Sequence, residues 1–179
     1  MTVTYRACST GELGPAGLAQ LLDLFGAAWP DGDFSPQDME HACGGRHFLA
    51  LVDGRIVAHA SVVERALEVD GRPLRTGYVE AVATLPAWQR RGIASRLMES
   101  AAVHLRESFE LGALSTGIPE LYERLGWRRW EGELLVRTAA GPVPCVKEDE
   151  GVMAIATPAT PPLTLRETLS CEWRPGDAW

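Results

Sequence analysis

Gln89-Arg90-Arg91-Gly92-Ile93-Ala94 stands at the junction of two stretches with different hydrophobic periods, and that junction decides the fold. Downstream, Ile93, Leu97, Met98, Ala101 and Leu105 recur at the spacing of one helical face, so residues 92 to about 106 are predicted to form a helix. Upstream, residues 75–85 read as a long strand. A strand-to-helix loop with a small residue where the backbone must come close presents several amide N–H groups at a helix N-terminus. That is a site for a pyrophosphate. Arg90 and Arg91 add positive charge there. Cations at this end of a helix cost a few tenths of a kcal/mol against the dipole, which an anion would offset; solvated surface cations are the competing account. The sequence has neither the phosphate-loop pattern with its Lys-Ser/Thr ending nor a strand followed by G-x-G-x-x-G, which argues against nucleotide phosphate donors and dinucleotides.

Working outward, Ser9 and Glu12 form a capping-box pattern, followed by Leu18, Leu21, Leu22 and Phe25 on one face. A first helix ending near Ala28 follows. Ser35, Pro36 and Asp38 give a cap, a first-turn proline and a first-turn acid for a short helix that stops at Gly44-Gly45. From His47 the period shortens. Strands are predicted at 48–52 and 56–63, joined by Asp53-Gly54, and Val69-Asp70-Gly71-Arg72 marks a second tight turn. Beyond the long helix, the pattern predicts a strand at 109–114, a helix at 118–125 closed by Gly126, and strands at 134–136 and 152–156. Alternation of Leu163, Leu165, Leu169, Cys171 and Trp173 predicts a last strand. Two helices, a run of antiparallel strands and then strand–helix alternation describe an α+β domain with a mixed sheet.

A chain of 179 residues, 46% hydrophobic, buries one full core but is short for two ordinary domains, so one domain over 1–179 is expected. With Gly 18, Pro 12 and 23% charged residues, collagenous and disordered classes are excluded. A net charge of −7 offers no general footing for nucleic acid. The deficit is confined to the flanks: −4 over 1–60, +1 over 61–130 and −4 over 131–179. A middle segment holding an anionic coenzyme between flanks that meet a polycation has this distribution, as do simple solvated faces. No apolar run reaches the ~18 residues of a membrane span, and the N-terminus lacks a secretory layout; no membrane partner and a cytoplasmic location are expected. Cys8, Cys43, Cys145 and Cys171 have no metal-type spacing and read as reduced thiols. His41, Cys43 and His47 lack a fourth ligand nearby, so no metal is expected.

The segment Gln89 to Ala94, with its strand before and helix after, resembles the acyl-CoA motif of the GNAT superfamily of acyl-CoA-dependent N-acyltransferases. Leu121-Tyr122-Glu123-Arg124-Leu125-Gly126-Trp127 is similar to that superfamily's second acyl-CoA segment. The resemblance narrows with Gly77-Tyr78-Val79-Glu80-Ala81-Val82-Ala83, Leu111-Gly112-Ala113-Leu114-Ser115, Gly32-Asp33-Phe34 and the tail Trp173-Arg174-Pro175-Gly176-Asp177-Ala178-Trp179. Together these resemble the aminoglycoside 2'-N-acetyltransferases over nearly the whole chain.

This resemblance implies the GNAT fold, a mixed central sheet flanked by helices, with acetyl-CoA as co-substrate, an aminoglycoside as acceptor and a homodimer as the assembly. It implies that Gln89, Arg90, Arg91, Gly92, Ile93 and Ala94 hold the coenzyme pyrophosphate, and that main-chain groups along Val82, Ala83 and Thr84 pair with the pantetheine arm. Glu80 corresponds to the general base acting through water, and Tyr122 to the acid that protonates the departing thiolate. Asp33, Glu80, Ser115, Asp149, Asp177 and the carboxylate of Trp179 correspond to the contacts with the polycationic substrate. A GNAT enzyme for another amine, such as a cell-wall amino sugar, a polyamine or a peptide, is the alternative. A noncatalytic protein that senses or sequesters acyl-CoA or the drug is a third reading, against which the presence of both Glu80 and Tyr122 argues.

Overall fold

In the computed structural model, which describes residues 2–145 and 151–179, the local signals at the N-terminal end take the geometry their residues dictate. The Ser9 hydroxyl accepts from the Glu12 N–H while the Glu12 carboxylate accepts from the Ser9 N–H at 2.7 Å, opening α1 (Thr10–Ala28). Ser35 and Asp38 repeat the arrangement at α2 (Pro36–Ala42). Each such cap stabilises its helix by about 1 kcal/mol. α1 is kinked at Gly14, φ 66, next to the internal Pro15, because proline cannot continue the hydrogen-bond ladder.

The chain divides into two compact units, Met1–Val63 with Val79–Val103, and Glu64–Tyr78 with His104–Trp179. In the first, β1 (Thr4–Ser9) runs antiparallel to β2 (Arg46–Val52), from Thr4↔Leu51 to Ser9↔Arg46. β1 is not predicted from the sequence, because only Cys8 of its six residues is buried and the strand carries no alternation. β2 pairs antiparallel with β3 (Arg55–Val69) across a turn with Asp53 at φ 49 and Gly54 at φ 81, the two left-handed residues of a type I′ hairpin. Asp70 and Gly71, φ 47 and 78, make the second such turn into β4 (Arg72–Thr84). β3 is thus longer than the predicted 56–63, and both β3 and β4 run through both units. The core of the first unit joins Leu21, Leu24 and Phe25 of α1 to Cys8, Leu49, Ile56 and Ala83 of the strands.

In the second unit β4 pairs parallel with β5 (Leu111–Thr116) from Thr76↔Leu111 to Tyr78↔Ala113. The crossover between them contains α3 (Ile93–Ser108). Gly77 and Gly112 lie opposite each other, and a Cβ at either would overlap the Leu105 side chain; this pair of glycines lets the helix settle on the sheet. After α4 (Pro119–Glu123) come β6 (Arg128–Arg129), β7 (Leu134–Thr138), β8 (Gly141–Pro144), β9 (Gly151–Ala156) and β10 (Leu169–Glu172). β9 is antiparallel to β5 and β6, whereas β10 is parallel to β7 and antiparallel to β3. The expected strand from 163 to 173 is therefore only Leu169–Glu172. Residues 163–168 are held as a turn, with the Thr164 N–H on Glu167 Oε2 and the Leu165 carbonyl accepting from Glu131 and Gly132. The alternating leucines there mimic a strand. No helix among the described residues is long and apolar enough to cross a membrane.

Candidate active site

Ala81 has φ 50 in the middle of β4, a left-handed conformation that costs a non-glycine residue about 1–2 kcal/mol. Side chains of β3 hold it there. His59 Nδ1–H donates to the Ala81 carbonyl at 2.8 Å, and the Ser61 hydroxyl donates to the Glu80 carbonyl at 3.3 Å. The local break in pleat leaves Glu80, Ala81 and Val82 half-buried in succession, with Ala83 buried behind them.

Past the strand end, the Gln89 side-chain amide donates to the Thr84 carbonyl at 3.2 Å and closes the short turn Pro86–Trp88. Arg90 and Gly92 are both left-handed, φ 58 and 75. The Gly92 carbonyl accepts from the Arg96 N–H at 3.1 Å, which starts α3, and Ile93 is buried. A Cβ added at Gly92 would meet no protein atom within 4 Å, so the loop backbone borders open space. Arg90 is exposed, and the Arg91 guanidinium lies 4.8 Å from the centre of the Trp88 ring, in a cation–π contact. The Thr84 hydroxyl is buried without a hydrogen-bond partner among the described residues, a group that a ligand's polar atom would satisfy. An extended carrier ending in a pyrophosphate fits these features: an open left-handed loop, the amides at a helix N-terminus and an orphaned hydroxyl on the approach strand.

Asp33, in the same unit, is exposed on the loop between α1 and α2. Its neighbour Phe34 anchors that loop, stacked on Trp29 at 5.0 Å and packed on Phe25 at 4.4 Å. The second unit carries Ser115, Tyr122, Asp177 and Trp179. Ser115 lies on β5 opposite Val152 and is half-buried. Tyr122 is buried on α4 against Trp127, ring centroids 6.3 Å apart. Burial pushes its phenol up to about 12, with an opposing hydrogen bond from the Thr116 side chain. Thr116 also accepts from the Ile118 N–H at 3.1 Å, and so shapes the entry to α4. The tail is anchored: Trp179 is buried, its N–H meets Asp177 Oδ1 at 3.3 Å, and Arg174 Nε donates to the Asp177 carbonyl at 2.7 Å. Asp149 lies outside the described residues.

His59 and Ser61 are the site residues that sequence reasoning missed. The sequence places His47 near His41 and Cys43; in the fold its ring meets His59, Nδ1 to Nε2 at 2.9 Å. The four cysteines are free, and burial pushes the Cys8, Cys43 and Cys171 thiols up, Cys171 to about 11. A cavity of about 1010 Å³ in the second unit, lined by Arg106, Arg128, Leu163, Leu165 and neighbouring residues, contains none of the sequence-predicted site residues.

Residues 13–130 match the acetyltransferase (GNAT) domain family. A protein named aminoglycoside 2'-N-acetyltransferase from Mycolicibacterium fortuitum is 39% identical over 153 residues, covering 83% of this chain and 78% of that protein. Among solved structures, a GNAT family acetyltransferase from Brucella melitensis in complex with acetyl-CoA superposes with a TM-score of 0.63 at 18% identity, over 94% of each chain. Escherichia coli ElaA superposes with a TM-score of 0.64 at 17% identity, over 86% of this chain and 99% of that one. The chain therefore belongs to the GNAT family of acetyltransferases.

Proposed function

We propose that this acetyltransferase moves the acetyl group of acetyl-CoA directly to the 2'-amine of an aminoglycoside. The observation that carries the reading is the 39% identity, over most of both chains, to a protein bearing that name. Acetyl-CoA, when bound, supplies a thioester activated toward amines. Amides of Gln89 to Ala94 hold its pyrophosphate, and main-chain groups of Val82 and Thr84 pair with the pantetheine arm as an added strand would. Glu80 takes a proton from the substrate ammonium through water, because aminoglycoside amines are largely protonated near neutrality and cannot attack in that form. Tyr122, its phenol at about 12, keeps its proton at neutral pH and donates it toward the departing sulfur only as charge develops there. Asp33, Ser115, Asp149, Asp177 and Trp179 meet the polycation. A cysteinyl intermediate at Cys8, Cys43 or Cys171 is disfavoured because burial raises these thiols and leaves little thiolate.

Regiochemistry tests the reading. Tobramycin and kanamycin B, which carry a 2'-amine, are expected to release coenzyme A thiol and to gain one acetyl group at that nitrogen. Kanamycin A and amikacin, with a hydroxyl there, are expected to be inert. Comparable turnover of kanamycin A would move the acceptor to another amine, and turnover only of wall amino sugars or polyamines would replace the drug as substrate.

The tail separates binding from folding. Deleting residues 177–179 removes the buried Trp179, which is expected to cost about 3 kcal/mol or more and to lower Tm by several degrees. Asp177→Asn keeps the Oδ1 acceptor for the main-chain N–H of Trp179 and removes the charge. Loss of a charge-assisted bond worth about 1.5–3 kcal/mol corresponds to a weakening of about 10-fold or more. Titration calorimetry should show that loss for tobramycin and unchanged affinity for acetyl-CoA; equal tobramycin affinity would remove Asp177 from the acceptor site.

A further inference from the structure

Two histidines with no part in the chemistry above are fully buried next to each other, His47 and His59, each 0% exposed. In the β2–β3 ladder His47 faces Ser61 and Leu49 faces His59, so the two histidines are diagonal neighbours on one face. They belong to a continuous hydrogen-bonded chain. The Thr10 hydroxyl donates to the Cys43 carbonyl and meets His47 Nε2 at 2.9 Å; His47 Nδ1 meets His59 Nε2 at 2.9 Å; His59 Nδ1 meets the Ala81 carbonyl at 2.8 Å.

Both ends of this chain are carbonyls, which only accept, and that constraint sets the protons between them. The Ala81 carbonyl requires a proton on His59 Nδ1. A neutral His59 then has a lone pair at Nε2, to which His47 must donate from Nδ1. A neutral His47 in turn has a lone pair at Nε2, so the single Thr10 hydroxyl proton is shared between that nitrogen and Cys43. Burial disfavours the charged rings, pushing His59 down to about 3 and His47 below its ordinary value. The Phe25 ring meets His59 edge-on, centroids 5.2 Å apart, and fixes the plane of the imidazole.

The consequence lies at the left-handed Ala81 of β4. The described chain contains no cis peptide, so the C=O and N–H of the Ala81–Val82 peptide point in opposite directions. Drawing the carbonyl onto His59 turns the Val82 N–H to the side away from His59. Ser61, two residues along β3, holds the preceding carbonyl of Glu80, so two consecutive peptide planes are set from one strand face. We propose that His59, its tautomer dictated by His47, is a positioning residue for acetyl transfer that aims the Val82 N–H at the acyl carbonyl of acetyl-CoA. The inference rests on the reading of β4 as the edge along which acetyl-CoA lies.

The test compares His59→Asn, whose amide N–H can occupy the place of Nδ1–H, with His59→Leu, which has no donor. The Leu variant is expected to lose about 10-fold or more in kcat, within the effect of a misplaced carbonyl donor. It should also lose the preference for acetyl-CoA over free CoA in calorimetry, while binding free CoA, which lacks the acyl carbonyl, as wild type does. The Asn variant should recover most of both. Equal kcat per folded molecule and an unchanged acetyl-CoA to CoA ratio in the Leu variant, with only Tm lowered, would overturn the proposal. The wild-type protein gives a second measurement that needs no variant to fold. Long-range proton–nitrogen spectra are expected to show Nδ1 protonated and Nε2 bare on both histidines, and a His59 protonated on Nε2 overturns the assignment. Failure of the underlying reading shows separately, as wild-type protein that does not bind acetyl-CoA at all.

Discussion

Glu80→Gln is expected to lower the rate of acetyl transfer at neutral pH by about 10²-fold or more, the range for loss of a positioned base, while leaving acetyl-CoA affinity nearly unchanged. The substitution is nearly isosteric, and the main chain at this position is held independently of the side chain by Ser61 at the Glu80 carbonyl and by His59 one residue on. The limb of the pH–rate profile that reports deprotonation of the base should disappear in the variant. Steady-state thiol release across pH gives both readouts. An intact rate with an unaltered profile would make Glu80 a bystander, and the base would have to be sought among other groups.

Gly92→Val is expected to abolish measurable acetyl-CoA binding at concentrations that saturate the wild type. No clash within the protein causes this, since a Cβ at Gly92 meets no atom within 4 Å. The cause is conformational: at φ 75 a β-branched residue is strained, and relief comes by rotating the peptide planes that present the loop amides. The Gly92 carbonyl also accepts the first hydrogen bond of α3, so the rotation moves the helix N-terminus as well. Any side chain projecting into the open space would further obstruct a pyrophosphate there. Tyr122→Phe provides the contrast: it removes one buried hydroxyl and keeps the packing on Trp127, so it should slow turnover and leave acetyl-CoA affinity nearly intact. Normal acetyl-CoA affinity in Gly92→Val would mean that this loop does not hold the pyrophosphate.

The parts of the fold legible in the sequence are those governed by neighbours along the chain. Ser9 with Glu12 and Ser35 with Asp38 form capping boxes wherever a helix begins there. Asp53-Gly54 and Asp70-Gly71 have few other conformations to adopt between two strands. The stripe from Ile93 to Leu105 predicts α3 to within a few residues. The same local rules misread 163–168, where leucines alternate but the backbone hydrogen bonds go to Glu131, Gly132 and a turn. They also pass over β1, whose exposed residues carry no pattern and whose existence depends on its pairing with β2.

By itself, then, the sequence determined the four helices and strands β2 to β5, β7 and β9 in outline, the caps and hairpin turns, and the glycine loop ahead of α3. Its motifs also pointed to the acetyltransferase family. Only the tertiary structure decided the left-handed conformation of Ala81 and the fate of the histidines. An alanine in the left-handed region and two buried imidazoles each oppose local preference, so no reading along the chain anticipates them. They persist because pairing β2 with β3 sets His47 diagonally to His59, and because β3 lies where His59 and Ser61 reach the carbonyls of Ala81 and Glu80. Contacts between residues 12 and 22 positions apart offset costs that each segment alone would avoid, and such contacts exist only once the sheet has formed.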